Sequence, residues 1–344
     1  DARGPGDHEA VYVSCTMERR AWQGRGAGGK MDVQRERLGV TGTSFDIAVI
    51  GGGIAGLTAA HHAALAGASV AHFVEHGMTG GLVLNVGALD GWPSPGPVGG
   101  ADLAAGLFGR NEELGVTLVP SAIDRIEGDA VKTLSGPDGT WRTRQVIVAT
   151  GAALRALDVP GAERLAGRGV SQCAWCDGGL YRDAEVVVAG GGDAALSEAI
   201  HLGRYARAVT IVTRGEMFRA RQHYVSRVAD DERFRLRWAS EIVEVLGESA
   251  VESVRVRDRE AGAEEVIACT GLFVFVGLAP NAGLLGPQVA RDAAGFVVTD
   301  ASFETAMPGV FAIGAVRAGY GGRLTHAVAE ATSAAELAAA RCRE

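Results

Sequence analysis

Phe45-Asp46-Ile47-Ala48-Val49-Ile50-Gly51-Gly52-Gly53-Ile54-Ala55-Gly56 is an apolar run that breaks on glycines and resumes as an alanine-rich stretch reaching Ala66. A short apolar run bounded by glycine reads as a buried strand, and the stretch beyond the turn reads as a helix. Gly51 allows a tight turn, Gly53 lets backbone N–H groups approach a pyrophosphate, and Gly56 lets helix and strand pack closely. Ser69–Glu75 reads as the next parallel strand, ending on an acid able to accept hydrogen bonds from a ribose diol. That context reads as dinucleotide binding, although Glu75 alone is also what a solvated strand end looks like.

Working outward, Gly80–Gly100 is a Gly/Pro-rich loop, Asp102–Leu114 a predicted helix, and Arg144–Gly151 a strand closing on Ala149-Thr150-Gly151. The pattern then restarts, with Ala184–Gly190 as strand, Asp193–Arg204 as helix and Ala208–Arg214 as strand. Glu265–Gly277 is strand-rich, Gly309–Gly314 is a short strand, and Leu324–Arg341 is a long alanine-rich helix. The expected fold class is α/β, with two doubly wound, Rossmann-like dinucleotide-binding domains. The tail most simply rejoins the first domain, so residues 45–155 and 277–344 form one unit and 156–276 an insertion.

The second glycine turn, Gly190-x-Gly192-x-x-Ala195, ends on an alanine that the packing position permits. No carboxylate closes its following strand. Thr213-Arg214 stands there, with Arg219 five residues on, which favours a 2′-phosphate and hence NADP over NAD. Arginines in a post-strand loop are equally read as solvated.

Just ahead of that turn lies Cys173-Ala174-Trp175-Cys176-Asp177. Two cysteines separated by two residues can close and reopen a small disulfide ring with little backbone movement, and the adjacent acid can move the proton that exchange requires. Zinc would need two more ligands, and no second Cys-x-x-Cys or downstream His pair supplies them, so no metal is expected. A short helix beginning near Cys173 would lower its thiolate pKa through aligned backbone dipoles. Two dinucleotide sites and one redox pair suggest electrons passing from a nicotinamide through a flavin to a disulfide.

The bulk composition agrees. A chain of 344 residues, 47% hydrophobic and 22% charged, can bury the cores of two domains. A net charge of −8 argues against nucleic acid or anionic membrane as partner, and no apolar stretch is long enough to span a bilayer. Five cysteines, with Cys15, Cys269 and Cys342 scattered, are no secreted disulfide framework and suit a reducing cytoplasm. Residues 1–44 are Gly/Arg-rich and lack hydrophobic periodicity; they read as a disordered extension, with Met31 near the natural start.

From about Phe45 onward the chain resembles the low-molecular-weight thioredoxin reductases. The resemblance is carried by Gly51–Gly56, Gly80-Gly81-Leu82, Ala149-Thr150-Gly151, Gly169–Gly178 around the cysteines, Gly190–Ala199, Phe218-Arg219-Ala220 and Gly309–Gly314. It implies FAD on Gly51, Gly53, Ile54, Ala55, Gly56, Glu75, Gly80, Gly81, Leu82, Asn85, Ala149, Thr150, Gly151, Gly314, Ala315, Arg323 and Leu324. It implies NADPH, with NADH possible, on Gly190, Gly192, Asp193, Ala194, Ala195, Arg214 and Arg219. Cys176 would lie against the flavin, Cys173 would attack the substrate disulfide and Asp177 would handle the proton, in a homodimer serving thioredoxin or a similar protein.

Four positions depart from the family pattern. Ala315 stands for its Asp, Leu324 for its Gln, Leu82-Val83 for its Gln-Leu, and Thr213-Arg214-Gly215 for its His-Arg-Arg. They imply a divergent member. A ferredoxin-dependent reductase or a small-dithiol oxidase would use the same chemistry, and a low-turnover redox sensor is the alternative of another class.

Overall fold

The computed structural model describes residues 44–344. The expected extension therefore lies outside the described residues, except Ser44, which opens the first strand. β1 (Ser44–Ile50), α1 (Ile54–Leu65) and β2 (Val70–Phe73) form the first strand–turn–helix–strand unit. α2 (Gly100–Glu113) then leads to β3 (Thr117–Val119), β4 (Arg125–Glu127), β5 (Lys132–Gly136) and β6 (Gly139–Val148). The chain leaves through β7 (Ala152–Leu154) and builds β8 (Val170–Ser171), α3 (Ala174–Asp177), β9 (Glu185–Ala189), α4 (Asp193–Leu202), β10 (Ala208–Val212), α5 (Gln222–Ala229) and β11 (Phe234–Arg237). An antiparallel trio follows, β12 (Ser240–Leu246), β13 (Ser253–Asp258) and β14 (Glu264–Ala268), then β15 (Gly271–Val274). The return runs through β16 (Leu278–Pro280), paired antiparallel to β7, to β17 (Val310–Ala312) and α6 (Leu324–Arg341).

The first sheet is ordered β3-β2-β1-β6-β5-β4, with β17 joined to β6. β6 changes partners along its length. Its polar-alternating first half pairs antiparallel with β5, and its apolar end, Val146–Val148, is buried between β1 and β17 in parallel. Strands buried from both sides lose the polar alternation, as here. The second sheet, β11-β10-β9-β15-β8, is parallel throughout.

One face of the first sheet is covered by α1 and α6, which meet through Ala55, Ala59, Ala60 and Ala63 against Ala327, Ala331, Ala334 and Ala338. Such small side chains let two helices lie close, which is why the tail helix is so rich in alanine. Among the described residues no helix is long and apolar enough to cross a membrane.

Several elements escape a reading of periodicity. β3, β4 and β8 are too short to show any, and α5 is a single polar amphipathic helix. β12–β14 carry alternating charges that pair across strands, Arg255 with Glu244 at 3.0 Å and Arg257 with Glu264 at 3.0 Å. β2 also stops earlier than its sequence suggests, so Glu75 stands in the 3₁₀ turn Glu75–Gly77.

Candidate active site between the two dinucleotide turns

At the first turn Gly51 has φ +115°, and a Cβ there would lie 2.3 Å from the Ala149 carbonyl oxygen. A Cβ at Gly56 would lie 1.8 Å from the Gly51 carbonyl oxygen, whereas one at Gly53 would meet nothing within 4 Å. Packing thus demands two of the glycines, and the third keeps space open before α1. That helix has no side-chain cap and no acid in its first turn, leaving the N–H groups of Ile54, Ala55 and Gly56 for an anion. Behind the turn, buried His72 bonds the Gly51 carbonyl through Nε2 at 2.9 Å. Burial holds its imidazole below the usual pKa, and the carbonyl bond opposes this.

The neighbouring segments converge on the same turn. Gly80 N–H donates to the Gly52 carbonyl at 2.7 Å, and Gly81 sits against Gly53. Leu82 and Leu84 are exposed and Asn85 half-buried in the turn that follows. Thr150 is tied to Asn281, donating from Oγ1 to its carbonyl at 2.7 Å and accepting from its Nδ2 at 3.0 Å; Gly151 beside it is left-handed. Glu75 is exposed, 3.6 Å from His76. Gly314 and Ala315 lie in a 3₁₀ turn whose Gly314 N–H donates to buried Glu330 at 2.8 Å. Glu330 is also paired with Arg317. Glu330, invisible to motif reading, is a carboxylate at the turn where Ala315 brings none. Arg323 and Leu324 open α6. The open space at Gly53 and the uncapped α1 fit the pyrophosphate of an adenine dinucleotide.

The second turn repeats the device. A Cβ on Gly190 would lie 2.4 Å from the Phe275 carbonyl oxygen, Gly192 faces open space, and Ala195 is fully buried. Ala194 follows Asp193 in the first turn of α4. Thr213 proves to be a packing residue: its Oγ1 would lie 2.4 Å from a Cβ on Gly191. Arg219 N–H donates to the Gly191 carbonyl at 2.8 Å, folding the 218–219 loop over the turn, while the Arg214 and Arg219 side chains are exposed. Asp193 accepts from Arg221 N–H at 2.7 Å and from its Nε at 2.8 Å.

Cys173 and Cys176 form a disulfide around α3, with Cα atoms 5.3 Å apart. Cys173 Sγ caps the helix, accepting from Cys176 N–H at 3.1 Å. Asp177 accepts from Ser171 Oγ at 2.6 Å, and that oxygen accepts from Cys173 N–H at 3.1 Å. The short helix expected near Cys173 begins there, with Cys173 as its cap, and it shares out its N–H groups. The Ala174 N–H is taken by Glu198 Oε2 at 2.8 Å. Trp175 lies flat on buried His201, centroids 3.8 Å apart, with the Arg204 guanidinium 5.9 Å from its ring. Burial first, and then the Arg204 charge, lower the His201 imidazole to about 4.

A cleft of about 560 Å³ runs beside this helix, with Leu82, Trp92 and Arg323 on one side and Trp175, Glu198 and Arg204 on the other. Tyr224 Oη donates across it to Asp90 at 3.0 Å. Ser171, Asp90, Glu198, His201 and Tyr224 were not separately marked by sequence reasoning. Only Ser171 and Glu198 lie inside segments carrying the family resemblance. Free Cys269 is buried, and Cys342 is half-buried with Sγ 3.5 Å from the Asp46 carbonyl.

Two α/β sheets, each with a glycine-opened helix N-terminus, and a Cys-x-x-Cys disulfide at the cleft between them define a dinucleotide-dependent disulfide oxidoreductase. The family model described as pyridine nucleotide-disulphide oxidoreductase matches residues 45–333, and the chain belongs to that family. It is 36% identical over 276 residues to a thioredoxin reductase from Listeria innocua, covering 80% of this chain and 86% of that one. Two solved thioredoxin reductases share its fold. That of Lactococcus lactis, in its FR conformation, has TM-score 0.83 and 33% identity over 87% of this chain and 99% of its own. That of T. acidophilum has TM-score 0.82 and 28% identity over 88% and 99%. The protein is an FAD-dependent oxidoreductase acting on disulfides.

Proposed function

We propose that NADPH is the donor, that Cys173 and Cys176 are the redox pair, and that the acceptor is thioredoxin or a similar protein disulfide. What carries this reading is the Cys173–Cys176 disulfide on the short helix whose Trp175 lines the cleft, opposite Leu82, Trp92 and Arg323 and beside the first turn of α4. Residues 45–155 and 277–344 hold FAD, and 156–276 hold the nicotinamide. FAD, when bound along Gly51–Gly56, supplies the two-electron relay between nicotinamide and disulfide.

The chain's own residues do the rest. First-turn N–H groups of α1 and α4 bind the two pyrophosphates. Two electrons and one proton open the disulfide to a thiol and a thiolate. The Cys173 thiolate attacks one sulfur of the partner's disulfide and releases the other. Cys176 then attacks Cys173 in the mixed disulfide, re-forming the internal bond and freeing the reduced partner. Asp177, held by Ser171, exchanges the proton.

In the arrangement seen here Cys176 is exposed and Cys173 half-buried. The β7–β16 pair is where the chain enters and leaves the inserted unit, and it serves as the hinge on which the pair turns between flavin and partner. The Arg214 guanidinium favours the 2′-phosphate, but Thr213 is committed to packing and Gly215 brings no charge, so the preference over NADH is modest. A homodimer in a reducing cytoplasm completes the proposal; the free thiols at Cys269 and Cys342 support the compartment.

The test is thioredoxin reduction by the FAD-loaded protein with NADPH. Cys173→Ser abolishes it while flavin reduction survives, and Cys176→Ser blocks it too. Near wild-type turnover in either variant refutes the assigned pair.

A further inference from the structure

A four-residue helix has few N–H groups to offer the sulfur that opens it, and α3 divides them unevenly. Cys173 Sγ receives one, from Cys176. Glu198 receives the Ala174 N–H at 2.8 Å, and its carboxylate is also bonded by the Trp175 N–H. Glu198 stands on α4, the helix whose N-terminus faces the second dinucleotide turn. Burial pushes its carboxyl up to about 7, against the pull of those two N–H groups.

We infer that Glu198 is a positioning residue that lowers the reduction potential of the Cys173–Cys176 pair. It takes the N–H groups that would otherwise favour the Cys173 thiolate, and it places a carboxylate 2.8 Å from the backbone nitrogen that follows Cys173. The inference rests on reading these cysteines as the redox pair. Reduction breaks the S–S bond, adds two electrons and one proton, and leaves one thiol and one thiolate. N–H donors stabilise that thiolate and a neighbouring negative charge destabilises it, so Glu198 acts against it on both counts. A less stable reduced form is a stronger reductant toward the partner's disulfide.

The other carboxylates nearby each have a partner of their own. Asp177 is bonded to Ser171, Asp193 to Arg221, and Asp90 to Tyr224. Arg204 lies over Trp175, while Arg227 and Arg323 line the cleft. Among the described residues, Glu198 is the carboxylate bonded to the N–H groups opening α3.

Glu198→Gln keeps an oxygen for the Ala174 N–H and removes the charge, whereas Glu198→Ala removes both. FAD-loaded protein is equilibrated at about pH 8 in dithiothreitol mixtures of graded oxidation, above the carboxyl's own titration near 7. Thiols at 173 and 176 are then counted by alkylation and peptide mass. Glu198→Gln should favour reduction about tenfold, or about 30 mV for this two-electron couple, and Glu198→Ala by more. An unchanged potential in Glu198→Gln overturns the inference, because a carboxylate that merely held the helix is replaced by the amide without effect. The wild type gives a second check. Its potential against pH should bend near 7, where Glu198 titrates, and that bend should be lost in Glu198→Gln. A wild-type course without the bend overturns the inference, and so does a bend that both proteins share, which is the thiols' own. Turnover that persists with neither cysteine labelled would instead refute the assignment of the pair.

Discussion

At the first glycine turn, α1 begins with no acid in its first turn and nothing beyond Gly53, while buried His72 grips the Gly51 carbonyl from behind. At the second, α4 begins with Asp193 already paired to Arg221, and Thr213 fills the space under Gly191. Arg221 donates in turn to Tyr224 Oη at 3.1 Å, and Tyr224 to Asp90 in the other domain. The two turns share a backbone device and differ in what is tied to it. The first is sealed within its own sheet, as suits a cofactor that stays. The second is wired across the cleft, as the proposed assignment of the exchanging nicotinamide to this turn would require.

The sharpest way to break this contrast is at the helix–strand packing position. Gly56→Ala puts a Cβ 1.8 Å from a backbone oxygen, whereas the second turn already carries alanine there. Overpacking of this kind costs about 1–3 kcal/mol. FAD retention measured by gel filtration should fall by about tenfold to a hundredfold, since each 1.4 kcal/mol is a factor of ten. Ala195→Gly, costing about 1 kcal/mol, should change the NADPH KM by only a few-fold. Equal effects at the two positions would erase the distinction.

A smaller effect is expected at the phosphate end of the second turn. A charge-assisted contact contributes roughly 1.5–3 kcal/mol, less when exposed as Arg214 is. Arg214→Ala should lower the NADPH-over-NADH ratio by about tenfold in stopped-flow flavin reduction. A ratio unmoved by the mutation would mean that the guanidinium is only solvated.

His201 separates the regions by pH. Its imidazole titrates near 6.5 when unfolded and near about 4 when buried against Trp175. The unfolded state therefore binds more protons between these values. The contribution is whole above 6.5 and is lost as pH falls toward 4. His201→Phe keeps an aromatic against Trp175, and thermal melts should show a shallower acid loss in that window. An unchanged acid limb would move the effect elsewhere.

The smallest expected change is at the cross-cleft bond. Tyr224→Phe removes one hydrogen bond, worth about 0.5–1.5 kcal/mol, and should raise protease sensitivity at the β7–β16 crossing by a few-fold. Burial, then Asp90, push the Tyr224 phenol up to about 12, so the bond persists throughout the usual working range. Identical digestion of both proteins would remove Tyr224 from the domain contact.

Local pattern was enough for a good deal of this protein. Gly51, Gly56 and Gly190 are forced by backbone contacts within a few residues or against an adjoining strand, while Gly53 and Gly192 leave open space before their helices, so strand, turn and helix were readable along the chain. α6 was readable to the residue because alanines recur along it and no glycine or proline interrupts Leu324–Arg341. The cysteine pair needs only a spacing of three.

The rest depended on neighbours far apart in the chain. Glu198 reaches Ala174 across 24 positions, Glu330 reaches Gly314 across 16 and Tyr224 reaches Asp90 across 134. None belongs to a periodic pattern, because a buried polar side chain is placed by the single group it must satisfy. Sequence alone thus determined the two dinucleotide turns and the disulfide between them, where backbone sterics leave few options. The tertiary structure decided which carboxylates hold the Gly314 turn and the N–H groups opening α3, since only packing brings a charge to a backbone N–H.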